Sequence, residues 1–163
     1  MIKIMFVCHG NICRSPMAEF IMKDLVKKRG VEMAFRIASS ATSDEEIGRD
    51  GIGNPVYPPA RAELLRRGMD PAGKRAVQLV REDYEKYDLF IGMDRANIRN
   101  MHRIFGGDPE GKIRKLMDLT DSPGDVADPW YSDRFDIAYR DIEKGCRALL
   151  SLFLENGFIN QSI

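Results

Sequence analysis

An apolar run from Ile2 to Val7, broken only by Lys3, leads directly into the octet Cys8-His9-Gly10-Asn11-Ile12-Cys13-Arg14-Ser15. Pro16 then opens a stretch of helical period. This order reads as buried strand, tight loop and helix N-terminus. A loop in that slot turns backbone N–H groups and the positive end of a helix dipole toward an anion. Five residues separate the thiol of Cys8 from the guanidinium of Arg14. A loop curled around a tetrahedral anion brings both side chains to it. The octet therefore reads as a phosphate-binding loop that also carries a nucleophile.

The rest of the chain alternates between the two periods. Met17, Phe20, Ile21, Leu25 and Val26 mark the apolar face of the first helix, which Ser15 is placed to cap and Gly30 to end. Met33–Ala38 reads as the second strand, and residues 39–57 form a long polar loop with Gly48, Gly51, Gly53 and Pro55. A helix starts at Pro58 or Pro59 and ends at Gly68. Ala76–Val80 is a short strand candidate, and Tyr87–Met93 is a stronger one. Asp94 caps a helix to about Ile104, Lys112–Met117 is a last short strand, and Thr120–Trp130 is a loop. Helical spacing then runs from Ser132 to about Glu155, with Ile142, Cys146, Leu149, Leu150 and Phe153 as its stripe. Alternating strands and helices imply an α/β fold with a parallel sheet between two helical layers. Ligands in such folds sit beyond the carboxyl ends of the strands. The octet occupies that position after the first strand.

The chain has 163 residues, which suits a single domain over 1–163. Twenty-five basic and twenty-five acidic side chains cancel, which argues against a nucleic-acid partner held by bulk positive charge. No apolar run approaches the ~20 residues of a membrane span, so no membrane association is expected. The first apolar run is also too short for a secretory signal. Three cysteines are too few for a disulfide scaffold and suit a reduced, cytoplasmic setting.

A lone cysteine is more often a buried structural residue than a nucleophile. The spacing to Arg14 and Ser15 in a strand–loop–helix slot changes that balance for Cys8. Loop amides, the helix N-terminus and Arg14 all favour a thiolate there. Arg14 can donate two hydrogen bonds to two equatorial phosphoryl oxygens. Ser15 can donate to the Cys8 sulfur, and Asn11 can tolerate a left-handed turn within the loop. Ester hydrolysis further needs an acid at the leaving oxygen. Asp128, in Val126-Ala127-Asp128-Pro129-Trp130-Tyr131, is the candidate, with Trp130 and Tyr131 walling an aromatic slot. Asp-Pro alone is equally a turn signal. His9 and His102 have no evident partner.

Taken together, the octet and Asp128-Pro129-Trp130-Tyr131 resemble the low-molecular-weight protein tyrosine phosphatase family. Arg36-Ile37-Ala38-Ser39-Ser40-Ala41-Thr42 and Met93-Asp94-Arg95-Ala96-Asn97 look like further family segments, and the resemblance covers roughly residues 2–155. It implies a central four-stranded parallel sheet in an α/β/α sandwich and two-step hydrolysis without metal or cofactor. Cys8 would be the nucleophile, Arg14 the transition-state clamp and Asp128 the general acid and base. His9, Gly10, Asn11, Ile12, Cys13, Ser15, Trp130 and Tyr131 would surround the phosphotyrosine of a protein or peptide, with Ser39 in support and inorganic phosphate as product. Asn11, Ser15 and Ser39 match positions that brace the loop. Cys13 matches a position that can pair with Cys8 under oxidation.

The chain also departs from the family. Lys74 stands where vertebrate members carry a histidine, and Glu45 lies near a position where they carry an aromatic residue. An acidic rim at Asp44-Glu45-Glu46 would favour basic peptides. Ile12 replaces the threonine of arginine-phosphatase relatives, and its apolar face suits a phenyl ring. Arsenate reductases of this fold need a mid-chain cysteine pair, and no cysteine lies between Cys13 and Cys146. A protein-arginine phosphatase and a non-enzymatic phosphoanion-binding module remain the alternatives. Trp130 and Tyr131 at the mouth suit a monomer or weak homodimer.

Overall fold

The computed structural model describes residues 1–156 of the 163. The end of the expected domain, 157–163, lies outside the described residues. Four parallel strands, β1 (Ile2–Cys8), β2 (Phe35–Ala41), β3 (Leu89–Gly92) and β4 (Ile113–Lys115), form one sheet in the order β2-β1-β3-β4. Among the described residues five α-helices accompany it: α1 (Arg14–Lys28), α2 (Pro58–Arg66), α3 (Arg95–Phe105), α4 (Pro129–Ser132) and α5 (Phe135–Glu155). The chain leaves β1 to pair on one side with β2 and on the other with β3. The loop after β1 therefore emerges where the strand order reverses, the place at which such sheets leave a crevice.

Side-chain alternation along β1 builds two cores. Ile4, Phe6 and Cys8 join the larger one, with Met17, Ile21, Leu64, Tyr139, Ile142 and Cys146 from α1, α2 and α5. Met5 and Val7 face the smaller one, with Tyr84, Phe90, Met101, Phe105 and Ile113. The two-residue period of the strand thus points the Cys8 sulfur toward the α1 side. At Gly145 an added Cβ would lie 2.3 Å from the Leu116 Cγ. The missing side chain is what lets α5 close against the turn after β4.

Several boundaries differ from the sequence expectation. Ala76–Val80 forms no strand. Its sheet contact is a parallel bridge between Ala41 and Gln78, made by the Ala41 N–H to the Val77 carbonyl and the Leu79 N–H to the Ala41 carbonyl, so the segment meets the sheet at a single residue of β2. The last expected strand stops at Lys115, and Leu116–Leu119 winds into a 3-10 turn. The expected helix from Ser132 is broken at Asp133, which takes a left-handed φ of 59°. The first helix begins at Arg14 with Cys13 at its cap position, so Ser15 is not the cap. Its hydroxyl is used elsewhere.

Candidate active site

Cys8 ends β1 buried, with its Sγ 3.0 Å from Ser15 Oγ and 3.4 Å from the Ser15 backbone N–H. The loop between them turns at Asn11, whose φ of 58° is left-handed. The backbone N–H groups from Gly10 to Cys13 meet no acceptor among the described residues. Such amides at a helix start form a cradle for a polyanion.

Arg14 is only 3 % exposed. Both hydrogens of its Nη1 are taken, by Asp94 Oδ2 at 2.7 Å and by the Val126 carbonyl at 2.8 Å. The Nε–Nη2 edge is left to donate, and a guanidinium edge of this kind matches two phosphoryl oxygens. Burial opposes the charge on Arg14, but the negative charges of Cys8 and Asp94 outweigh it and raise its pKa. Asp128 Oδ2 lies 3.5 Å from Arg14 Nη2. Its other oxygen accepts from the Trp130 N–H at 3.1 Å and caps α4. Asp128 is thus a turn cap, as Asp-Pro allows, and at the same time lines the cleft.

Behind the loop runs a directed chain of hydrogen bonds. Ser39 Oγ donates to Glu19 Oε1 at 2.6 Å, which frees its lone pair for Asn11 Nδ2 at 2.9 Å. Asn11 Nδ2 also donates to Ser15 Oγ at 2.8 Å, and its Oδ1 accepts from the Val77 N–H at 3.0 Å. The Ser15 hydroxyl has the Cys8 sulfur at 3.0 Å and the Ser40 carbonyl at 3.5 Å within reach, and a thiolate at Cys8 can only accept from it. Glu19 fixes the Ser39 hydroxyl as a donor, while the Asn11 amide nitrogen, which can only donate, makes both serine oxygens acceptors at that contact. Lys23 pairs with Glu19 at 2.6 Å. Lys74 sits 3.7 Å from it and donates to the Ser39 carbonyl at 3.1 Å. Burial pulls the Lys74 ammonium below its ordinary pKa, against the pull of Glu19.

A cleft of about 440 Å³ opens over this floor. Cys8, His9, Gly10, Ile12, Cys13, Arg14, Asp128, Trp130 and Tyr131 line it, together with Glu45 and Glu46. Asn11, Ser15 and Ser39 stand behind the wall and do not line the cleft. Trp130 packs on Tyr57 with ring centres 5.0 Å apart, while Tyr131 is 87 % exposed at the mouth. His9 Nε2 meets Glu45 Oε2 at 3.1 Å across the rim. Cys13 also lines the cleft. Burial first, then the charges of Cys8 and Asp128, push its thiol up to about 12, so it stays protonated at neutral pH.

The profile of the low molecular weight phosphotyrosine protein phosphatases matches residues 3–157. The chain belongs to that family. It is 37% identical over 153 residues to the low molecular weight protein-tyrosine-phosphatase YfkJ of Bacillus subtilis, covering 93% of this chain and 95% of that one. The human low molecular weight phosphotyrosine protein phosphatase is 32% identical over 152 residues, covering 90% and 92%. The crystal structure of Bacillus subtilis YfkJ superposes with a TM-score of 0.86 at 35% identity, covering 96% of each chain.

In this low molecular weight phosphatase, Glu19, Ser39 and Lys74 stand behind the loop. Lys74, one of the departures from the family, donates its ammonium to the Ser39 carbonyl there. Glu45 places a carboxylate in the cleft wall. Three participants were not singled out from sequence. Asp94 reads there as a helix cap and Val126 only as part of a loop, while Glu19 on the first helix receives no role. A buried arginine demands a counter-charge, but nothing local in the sequence says which carboxylate supplies it.

Proposed function

We propose that the protein hydrolyses phosphotyrosine in proteins or peptides through a cysteinyl-phosphate, with no cofactor. The observation that carries this reading is one cleft that gathers Cys8, Arg14 and Asp128 from opposite ends of the chain. In the first step the Cys8 thiolate attacks phosphorus, the bond to the tyrosine oxygen breaks, and the Asp128 carboxyl passes its proton to that oxygen. In the second step the Asp128 carboxylate takes a proton from water. The water oxygen attacks phosphorus, and the S–P bond breaks to return the thiolate and inorganic phosphate. The Ser15 hydroxyl stabilises the sulfur as it leaves. The Nε–Nη2 edge of Arg14 and the loop amides hold the equatorial oxygens, where the transition-state charge resides. Ile12, Trp130 and Tyr131 offer apolar surface to a phenyl ring. The chain acts in the cytoplasm as a monomer or weak homodimer. Its three free, buried thiols suit a reducing compartment.

The test is phosphate release from a phosphotyrosine peptide and a phosphoarginine peptide, with chelator present. The parent should turn over phosphotyrosine, and Cys8→Ser should not. Asp128→Asn should lose about 10²–10⁴-fold in kcat on a poor leaving group and much less on a good one. Preference for phosphoarginine would overturn the phenyl-ring argument at Ile12. Phosphate binding without turnover of either peptide would make the loop a binding module.

A further inference from the structure

A second cavity of about 720 Å³ lies beside the catalytic cleft, between α2, the 54–57 segment and the 71–74 turn. The two cavities share Ile12 and Glu46 as a common ridge. Tyr57 fastens that ridge. Its N–H donates to the Ile12 carbonyl at 2.9 Å, and its ring packs on Trp130 of the cleft. The groove is therefore continuous with the surface that receives the phosphotyrosine.

The groove is preformed. An added Cβ at Gly53 would lie 1.9 Å from the Ala76 carbonyl oxygen, so the two backbones touch. Ala76 N–H donates to the Asn54 carbonyl at 2.9 Å, and Asn54 N–H donates to the Glu46 carbonyl at 2.8 Å. These bonds tie the groove wall to the cleft rim. A wall held in this way binds a ligand without first having to be ordered.

Its lining is apolar with one free cation. Pro55, Val56, Pro71 and the half-exposed Leu65 supply the apolar part. Arg66 at the end of α2 and Arg67 just after it pair with Glu63 at 2.9 and 3.9 Å. The exposed Arg61 guanidinium has no ion-pair partner among the described residues. Glu46 is engaged by Asn54 Nδ2 at 2.7 Å, and Lys74 turns inward to Ser39. An occupant that satisfies this surface presents an apolar side chain and a carboxylate.

We infer that the groove docks the substrate's own chain beside the phosphotyrosine, taking an apolar side chain against Leu65 and a carboxylate on Arg61. This rests on the phosphotyrosine reading above. Catalytic efficiency then depends on residues that the chemistry never touches, because remote binding orients the reacting ester.

The experiment compares kcat/KM for phosphotyrosine peptides that differ only in a flanking pair, Leu-Asp, Ala-Ala or Leu-Lys, placed on either side. p-Nitrophenyl phosphate, which reaches only the cleft, is the control. The parent should prefer Leu-Asp over Ala-Ala by about tenfold, as an apolar subsite allows. Arg61→Glu should reverse the preference toward Leu-Lys and leave p-nitrophenyl phosphate unchanged. Equal kcat/KM for all peptides, with p-nitrophenyl phosphate hydrolysed normally, overturns the groove alone. No turnover of any compound overturns the phosphatase reading and the groove with it. Sedimentation of parent and variant covers the other occupant. A dimer that Arg61→Glu dissociates, without altering the peptide ratios, would assign the groove to a second copy and overturn the inference.

Discussion

Arg14 shows at the scale of one residue how much of a site can be read locally. Its distance from Cys8 along the chain is enough to place both around one anion. Its partners are not, because Asp94 lies 80 residues away and Val126 lies 112 away. The same holds for Glu19, which meets Ser39 and Lys74 only once α1 packs against β2. Asp94 serves two purposes with two oxygens. Oδ2 accepts from Arg14, and Oδ1 accepts the Asn97 N–H at 2.8 Å as the cap of α3. The two can be separated by substitution. Asp94→Asn keeps a capping oxygen but removes the charge facing a buried guanidinium, and should cost about 3 kcal/mol in urea unfolding. Asp94→Ala loses the cap as well and should cost about 1 kcal/mol more. If Asp94→Asn costs less than about 1 kcal/mol, the Val126 carbonyl and Asp128 are sufficient to hold the cation.

At the scale of elements, the strand–loop–helix unit and the strands β1, β2 and β3 are visible in the sequence, since their apolar residues are mostly buried and need no tertiary partner to be recognised. The errors fall where a neighbour decides. Ala76–Val80 has the composition of a strand, with Ala76 and Leu79 buried, but pairs only through Ala41. The turn between α3 and β4 has a stronger organiser. Asp108 accepts from Tyr84 Oη at 2.7 Å and from the N–H groups of Lys112 and Ile113 at 2.7 and 3.0 Å. Burial alone would raise its pKa, yet the bond from Tyr84 and the two backbone bonds outweigh it and lower the value. A carboxyl whose folded pKa lies below its unfolded one stabilises above the unfolded value, about 3.9, and loses that contribution as pH falls through the folded one. Asp108→Asn should therefore cost about 1–2 kcal/mol at neutral pH. The gap between parent and variant should close below about pH 4. Urea unfolding at the two pH values reads it directly, and a gap that persists in acid would assign the effect to packing of Tyr84 instead.

The whole molecule sets the field in which these parts work. Twenty-five positive and twenty-five negative side chains leave no net charge, so long-range attraction of a phosphorylated dianion is weak. Arg14 adds little at a distance, because it is buried and paired with Asp94. The charges a substrate meets first are those of the rim, where Glu45 and Glu46 line the mouth and Glu45 engages His9. The rim therefore selects among peptides more than it gathers phosphate. A basic residue next to the phosphotyrosine would meet Glu45 in exposed, salt-screened surroundings. Raising salt from about 20 to about 500 mM shortens the screening length several-fold. It should erase most of the preference for an arginine-flanked peptide over its neutral counterpart, while kcat/KM for p-nitrophenyl phosphate changes less than about twofold. Glu45→Gln should bring the low-salt preference down to the high-salt one. Should the variant keep the parent's peptide ratio at low salt, the selectivity of the mouth would have to come from its shape, with Trp130 and Tyr131 as the walls, and the rim charge would be there for solubility alone.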